Sequence, residues 1–267
     1  MSESFADFAR NLTKMRLASG KLSVCMSFRQ FENVEMVRAV KACGYDSLYV
    51  DLEHGRVSPQ AAAQICATAL DVGVAPLVRV PKIQSDLVGF VLDGGAMGII
   101  FPHIDTPELA RAAVAACKYP PKGHRGFNSA IPQTGYRKWP AVEVREVLNN
   151  ETLVICQVES GECVENINEI AAVDGVDILF IGTNDLCADL GIDGQLDSPE
   201  VEHAYRATID ACKKYGKYCG VGGFSGREDL IKKYIEMGGR FISAGADQAF
   251  FMGGARKRAE FIKSINM

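Results

Sequence analysis

The feature that constrains the fold most is the alternation of eight short apolar runs with segments of helical periodicity. The apolar runs predict strands at 22–27, 47–52, 76–80, 97–101, 153–158, 176–181, 218–221 and 240–243. Helices are predicted within 1–20, near 34–42, 58–71, 85–92, 106–118, 162–172, 199–215 and 227–237, and from 248 onwards. Strands alternating with helices are typical of parallel βαβ units, and eight such units in about 250 residues match a TIM (β/α)8 barrel of the α/β class.

An open, doubly wound sheet is the alternative architecture for this pattern. Such a sheet usually has fewer strands and a glycine-rich first turn, whereas no G-x-G-x-x-G follows the first run here and no P-loop occurs. No shift in composition marks a domain boundary. We therefore predict that residues 1–267 form one barrel domain, with an extra helix at the N-terminus.

Two carboxylates follow neighbouring strands of the predicted barrel. Glu159 ends the fifth strand, and Asp185 follows the sixth after a short turn. The helical segment 162–172 between these strands completes a βαβ unit, so both carboxylates emerge at the same edge of the sheet. Close carboxylates repel each other unless a cation lies between them, which predicts a divalent metal site. The alternative interpretation is that both residues cap the helices that follow.

Other strands of the predicted barrel also end in charged or polar residues. Asp51 and His54 follow the second strand, Arg79 ends the third, and His103 follows the fourth. Because TIM barrels carry their active sites on the loops after the strands, this accumulation favours an active site that includes the metal. Glu53 is expected to be structural. A barrel that binds a metabolite without catalysis is the alternative, although burying these charges without use would cost stability.

One long insertion, 120–142, interrupts the alternation and is rich in Pro and Gly. Long loops in compact domains usually serve function or interaction. We expect this insertion to adjoin the face that carries the active site, where Arg125 could reach a substrate carboxylate. The alternative role for Arg125 is to anchor the loop or to contact another subunit.

The net charge and the cysteine content indicate which partners the protein can bind and in which cellular compartment it occurs. A net charge of −4 and a pI near 5.7 argue against a nucleic-acid partner. No apolar run is long enough to cross a membrane. The nine cysteines contain no C-x-x-C pair, which predicts buried thiols in a reducing compartment. We expect a soluble, cytoplasmic protein.

Six motifs occur in order along the chain: VDLEHG (50–55), VRVP (78–81), FPH (101–103), YPPKGHRGFNSA (119–130), QVES (157–160) and GTNDLCADLG (182–191). Together they resemble the class II pyruvate aldolases, whose type member cleaves 4-hydroxy-2-oxoheptanedioate. Macrophomate synthase and, more distantly, the citrate lyase β-subunit and malyl-CoA lyase belong to the same superfamily.

The resemblance implies a barrel that binds Mg, Mn or Co through Glu159 and Asp185, with pyruvate chelating the same metal. The implied substrate-binding residues are Arg79, Gln157, Gly182, Thr183, Asn184 and Asp185. Arg79 would contact the keto oxygen, and the pair Asp51 and His54 would handle protons; His103 would contact the substrate or support another ligand. Family members commonly form hexamers, arranged as trimers of dimers, that exchange the last helix between subunits, and the apolar residues near the C-terminus suit that role.

The implied reaction is reversible cleavage of a 4-hydroxy-2-oxo acid into pyruvate and an aldehyde through a metal-bound pyruvate enolate. Oxaloacetate decarboxylation, as in a macrophomate-synthase-like enzyme, and cleavage of a CoA thioester are the alternatives. Schiff-base chemistry is disfavoured because Lys82 only follows a strand and no lysine lies within one. The chain departs from the family pattern at Thr183-Asn184, where proline is usual, and at Met26-Ser27-Phe28, where a glycine turn is common. The second departure points to a reshaped pocket for the second substrate.

Overall fold

The computed structural model describes residues 4–83 and 86–265, and its eight parallel strands close into a barrel in sequential order. The strands are β1 (Ser23–Phe28), β2 (Ser47–Asp51), β3 (Ala75–Arg79), β4 (Gly98–Phe101), β5 (Leu153–Val158), β6 (Ile178–Gly182), β7 (Tyr218–Gly222) and β8 (Gly239–Ala246). Strand β8 pairs with β1 and thereby closes the sheet. The predicted (β/α)8 barrel is confirmed, with each strand within a few residues of its predicted position.

Helices surround the strands, and a 3₁₀ turn lies at Pro132–Thr134. The helices are α1 (Phe5–Phe8), α2 (Leu12–Ala18), α3 (Glu35–Ala42), α4 (Pro59–Val72), α5 (Leu87–Asp93), α6 (Pro107–Cys117), α7 (Ala141–Glu151), α8 (Gly161–Glu165), α9 (Ile167–Ala171), α10 (Thr183–Asp189), α11 (Pro199–Tyr215), α12 (Glu228–Met237) and α13 (Asp247–Ile265). The predicted start of the fifth helix, at 85, lies outside the described residues.

Two predicted helices are each divided by an asparagine. The Asn11 side chain accepts a hydrogen bond from the Lys14 amide and begins α2, so the predicted opening helix becomes α1 and α2. Asn166 separates α8 from α9 without capping the second helix: its backbone leaves the helical conformation and its side-chain amide donates to the Asp105 carbonyl at 2.9 Å. Asparagine competes well for backbone groups, which explains both interruptions.

Apolar side chains fill both the barrel interior and the layer between strands and helices. The interior group consists of Leu17, Cys25, Tyr49, Leu77, Ile100, Leu153, Ile155, Ile178, Phe180 and Phe241. The wide Phe180 ring fits because β7 carries glycine opposite it; a Cβ at Gly220 would lie 2.7 Å from that ring. Burial of these groups supplies the main driving force for folding and leaves only the strand ends polar.

The insertion 120–142 lies at the N-terminal end of the barrel, so the expectation that it adjoins the opposite face was wrong. It follows helix α6, which has already returned the chain to the start of the strands. Its Gln133 side-chain amide donates to the carbonyls of Leu92 and Ala96, just before β4. The Arg125 guanidinium donates to Asp93 at 2.8 Å and stacks over the Tyr119 ring. Within this chain Arg125 therefore anchors the loop and lies far from the strand ends that carry the acidic residues.

The last helix, α13, projects from the barrel with only Asp247 buried. Six large apolar side chains along it are exposed: Phe250, Phe251, Met252, Phe261, Ile262 and Ile265.

Within residues 4–83 and 86–265, none of the helices combines the length and apolar character required to cross a bilayer. All nine cysteines are free thiols, and Cys43 differs from the prediction of buried thiols because it lies exposed after α3.

Candidate active site at the carboxyl ends of the strands

Arg79 and Asp51 form a buried ion pair between neighbouring strands. They occupy paired positions in the register of β2 and β3. Arg79 donates from Nε to Asp51 Oδ1 at 2.9 Å and from Nη2 to Oδ2 at 2.5 Å. Burial alone would raise the pKa of Asp51, but its hydrogen bonds and ion pair with Arg79 hold that pKa below its usual value. The same contacts raise the pKa of Arg79, which therefore stays charged.

The contacts of Asp51 differ from those expected of a partner for the His54 imidazole. Besides Arg79, the Asp51 carboxylate accepts hydrogen bonds from the backbone amides of Glu53 and His54. The imidazole of His54 is half exposed, and its Nε2 lies 3.8 Å from Glu53 Oε2. Asp51 thus positions the loop and Arg79, and it leaves the orientation of the imidazole to Glu53.

Glu53 was expected to be structural, yet it lies at the centre of the site. Its Oε2 is 3.0 Å from Arg79 Nη1, and its Oε1 is 4.0 Å from His103 Nε2. Burial raises the pKa of Glu53, and the charges of Arg79 and His54 oppose that rise only in part. A buried carboxyl with a raised pKa beside two imidazoles is suited to exchange protons with them. The sequence signal for this role is the position of Glu53 between Asp51 and His54.

His103 links Glu53 to the acidic pair predicted from the sequence. Its backbone amide donates to Glu159 Oε2 at 3.2 Å, and its imidazole Nδ1 lies 3.7 Å from the same oxygen. The backbone of His103 has φ of +53°, a left-handed conformation that is costly for a residue other than glycine. This strained turn directs the amide of His103 at the Glu159 carboxylate.

Glu159 and Asp185 lie together across Gly182. The buried Glu159 carboxylate accepts a hydrogen bond from the Gln157 side-chain amide at 2.6 Å. It also packs so closely on Gly182 that a Cβ there would lie 2.5 Å from Glu159 Oε1. Burial, with the nearby charge of Asp185, raises the pKa of Glu159 to about 7. Two carboxylates in this arrangement are destabilised without a cation.

The chemistry of these donors fits a hard divalent cation. Carboxylate oxygens are the ligands preferred by Mg²⁺ and Mn²⁺, and no thiol or imidazole replaces them here. In the described part of the chain, no set of three or more His, Cys, Asp and Glu side chains is arranged to hold a metal. Two carboxylates fill only two of the six positions around such a cation, so a cation held by Glu159 and Asp185 would leave the others to water and substrate.

A cavity of about 430 Å³ opens beside the acidic pair. Arg79, Gln157, Asn184 and Asp185 line one side of it, and Ser27 and Arg29 of β1 and the loop after it line another. The size suits a small organic acid. Arg29 Nε lies 3.1 Å from Asp51 Oδ2. Arg29 was not predicted from the sequence, where it directly follows the first strand.

Thr183 begins helix α10 directly after β6 and lines the cavity. Its hydroxyl donates to the Gly222 carbonyl at 2.7 Å and lies 2.9 Å from the Tyr205 hydroxyl, so it is already bonded within the protein. The exposed Asn184 side chain makes a long hydrogen bond, of 3.5 Å, to the Gly223 carbonyl.

Comparison with known proteins places this arrangement among carbon–carbon lyases. The family model described as HpcH/HpaI aldolase/citrate lyase matches residues 25–253. The 4-hydroxy-4-methyl-2-oxoglutarate aldolase of Hapsidospora irregularis is 36% identical over 96% of this chain and 96% of its own length. The hydroxypyruvate/pyruvate aldolase of Sagittula stellata is 34% identical over 96% of this chain and 99% of its own length. A crystal structure of an HpcH/HpaI aldolase from Desulfitobacterium hafniense superposes with a TM-score of 0.89 at 30% identity, covering 94% of this chain and 96% of that one.

Proposed function

The chain belongs to the HpcH/HpaI aldolase/citrate lyase family and is a lyase of the aldolase type, and from this premise we propose that it reversibly cleaves a 4-hydroxy-2-oxo acid into pyruvate and an aldehyde or ketone. The observation that carries the proposal is that Asp185 and the buried Arg79 line one cavity together with Gln157, whose side-chain amide donates to Glu159. Relatives are named for cleavage of 4-hydroxy-4-methyl-2-oxoglutarate and for hydroxypyruvate and pyruvate.

The family is generally dependent on a divalent metal, and we assign the metal-binding role in this chain to Glu159 and Asp185. A bound Mg²⁺, Mn²⁺ or Co²⁺ would act as a Lewis acid toward a substrate oxygen. The Gln157 amide and the His103 backbone amide hold the two oxygens of Glu159 in place. Such supporting hydrogen bonds fix a ligand before the metal arrives and so favour binding.

Arg79 supplies the fixed positive charge for the reaction. Cleavage of the bond between C3 and C4 leaves an electron pair on the pyruvate fragment, and negative charge develops on its keto oxygen. Arg79 lines the cavity, cannot lose its proton at working pH, and is already oriented by Asp51 and Glu53. Preorganised charge of this kind stabilises a transition state without reorganising during the reaction.

His54, with Glu53 beside it, transfers protons in the proposed reaction. The 4-hydroxyl must lose a proton during cleavage, and C3 must gain one to become the methyl group of pyruvate. The exposed imidazole of His54 is suited to both transfers because its ring nitrogens can accept or donate a proton. Glu53 Oε2 lies 3.8 Å from Nε2 of that imidazole and orients it.

We also propose that the chain assembles through α13, as a hexamer built from dimers. Exposed apolar side chains recur along this projecting helix, and a contiguous apolar face usually marks an interface. The nine free cysteines support a reducing, cytoplasmic setting for the assembly.

Hydrogen–deuterium exchange at the methyl group of pyruvate tests the proposed function without knowledge of the second product. The protein is incubated with pyruvate in D₂O with Mg²⁺ or Mn²⁺, and again with a chelator, while NMR follows the methyl signal. We expect exchange that depends on the metal. If no exchange occurs in either sample, the proposal fails, and release of CO₂ from oxaloacetate becomes the next activity to measure.

A further inference from the structure

Arg29 lies beside the Arg79–Asp51 ion pair, but its side chain is more exposed than that of Arg79. Arg29 Nε approaches the same Asp51 oxygen, Oδ2, that accepts a hydrogen bond from Arg79. The Arg79 side chain is 4% exposed, whereas the Arg29 side chain is 39% exposed. The two guanidinium groups are therefore neighbours that both line the cavity, and that of Arg29 is the more exposed.

The remaining donors of the two arginines also differ. Arg79 is fully engaged, since it contacts both oxygens of Asp51 and, through Nη1, Glu53 and Gln157. Among the described residues, Asp51 is the one acidic group that contacts Arg29, and that contact involves Nε. Arg29 also lines the cavity, and the guanidinium group is a fork that matches a carboxylate.

Ser27 adds a second polar group on the same side of the cavity. Ser27, on β1, lines the cavity as Arg29 does, two residues along the chain. Its hydroxyl is buried and has no hydrogen-bond partner in the part of the chain that the structure describes. A buried hydroxyl without a partner is costly, which indicates that a ligand oxygen completes its bonding.

The backbone that carries Arg29 is held rigidly. The buried carboxylate of Asp247 accepts hydrogen bonds from the backbone amides of Arg29, Gln30 and Phe31 at 2.7–3.1 Å. Because the backbone is fixed, Arg29 presents its fork with little loss of freedom when a ligand binds. This is the construction expected of a binding group and not of a mobile surface arginine.

We propose that Arg29 and Ser27 bind a second carboxylate, carried by C4 of the substrate, so that the carbonyl product is a 2-oxo acid. This inference rests on the proposed aldolase function and names its substrate class. In the reaction the C3–C4 bond breaks, the 4-hydroxyl loses its proton to the base, and C4 becomes the keto or aldehyde carbon of that acid. The electron pair passes to the pyruvate fragment, whose C3 then takes up a proton.

The spacing within such a substrate matches the two arginines. A carboxylate on C4 is separated from the keto carbon by only C3 and C4. It must therefore meet a cation adjacent to the one that stabilises the keto oxygen. Arg79 and Arg29, joined through one oxygen of Asp51, provide two such adjacent cations.

The test compares two substrates that differ at one group. The first is 4-hydroxy-2-oxoglutarate, which yields pyruvate and glyoxylate, and the second is 4-hydroxy-2-oxopentanoate, which yields pyruvate and acetaldehyde. Only the group on C4 differs, so the change in the ratio of kcat/KM between the unmodified protein and each variant reports recognition of the carboxylate. The ratio is measured for the unmodified protein and for Arg29→Gln, Arg29→Lys and Ser27→Ala. The control is Arg38→Gln, which removes one positive charge from the exposed face of α3.

We expect the unmodified protein and Arg38→Gln to favour the carboxylated substrate equally. Arg29→Gln should lower the ratio about 10- to 100-fold, the loss typical of a hydrogen bond to a charged group. Arg29→Lys should retain part of the preference, and Ser27→Ala should lower it less than Arg29→Gln does.

Four other results would each overturn the inference. Equal losses on both substrates in Arg29→Gln would mean that Arg29 acts only by supporting Asp51. A preference of the unmodified protein for 4-hydroxy-2-oxopentanoate would remove the second carboxylate from the substrate. Failure to cleave either compound, together with absence of pyruvate exchange, would reject the aldolase function itself. Pyruvate exchange without a change in the kcat/KM ratio in Arg29→Gln would reject the role of Arg29 alone.

Discussion

Asp51 and Arg79 face each other from paired positions on β2 and β3, and together they form a buried, two-pronged ion pair at the mouth of the barrel. The pairing of the strands sets this contact, because side chains at matched positions of a parallel ladder lie next to each other. The fold itself therefore orients the cation to which we assign charge stabilisation.

Replacing Arg79 with lysine should keep the barrel folded and slow the reaction. Lysine retains the charge but cannot reproduce the fork that spans both oxygens of Asp51. We expect kcat to fall by about 10²–10³, as for removal of one preorganised donor. Pyruvate exchange measured by NMR would reveal this loss, while Arg38→Lys serves as the control; a near-normal rate in Arg79→Lys would exclude the residue from the mechanism.

The Glu159→Gln and Asp185→Asn variants should each lose both metal binding and activity. Each substitution removes one of the two charges assigned to the cation and keeps the side-chain size. Isothermal titration with Mn²⁺ measures the first effect directly, and circular dichroism checks the fold. Glu162→Gln, an exposed neighbour on α8, is the matched control. Full Mn²⁺ affinity in either site variant would contradict the assignment.

Gly182→Ala should displace the Glu159 carboxylate. The added Cβ would lie 2.5 Å from Glu159 Oε1, far inside normal contact distance. We expect weaker Mn²⁺ binding and lower activity in a folded protein. The control is Gly89→Ala on the exposed side of α5, where a Cβ meets no atom within 4 Å and should stabilise the helix by roughly 0.5–1 kcal/mol. Similar behaviour of the two variants would argue against the role of Gly182.

Asp51→Asn should destabilise the protein in a pH-dependent manner. Removing one partner of a buried ion pair costs about 3–5 kcal/mol because the other charge is left unpaired. The pKa of Asp51 is lowered from its ordinary 3.8, so its contribution is fully present above that pH and is lost as pH falls through the lowered value. Urea unfolding between pH 7 and pH 3 should show a large difference in the free energy of unfolding between the unmodified protein and Asp51→Asn. That difference should narrow below about pH 4. A difference independent of pH would contradict this account.

Charged substitutions on α13 should reduce the assembly state. Phe251 and Phe261 are both more than half exposed on a helix that has few contacts with its own barrel. Phe251→Glu or Phe261→Glu should therefore lower the mass measured by light scattering. Lys257→Gln, which changes the charge of the same helix by the same amount, should not. An unchanged mass in both phenylalanine variants would exclude α13 as the interface.

The sequence could predict the barrel because strand and helix periodicities are local signals that repeat eight times. Glu159, Asp185 and Arg79 could be placed at one face for the same reason, since each directly follows or ends a strand. The position of the insertion could not be obtained from its composition; it depends on the preceding element being a helix, α6. The contacts of Glu53 and Arg29 also escaped prediction, because they depend on which side chains meet across the barrel mouth and not on spacing along the chain.

Asp247 connects two parts of the molecule that have separate tasks. It is the first residue of α13, and its carboxylate also fixes the loop that carries Arg29. Holding the start of α13 in place therefore also holds the loop that carries Arg29 at the cavity. Where two equilibria share one structural element, each changes the free energy of the other. Asp247 is therefore the side chain through which the proposed assembly of α13 and binding in the cavity would be linked.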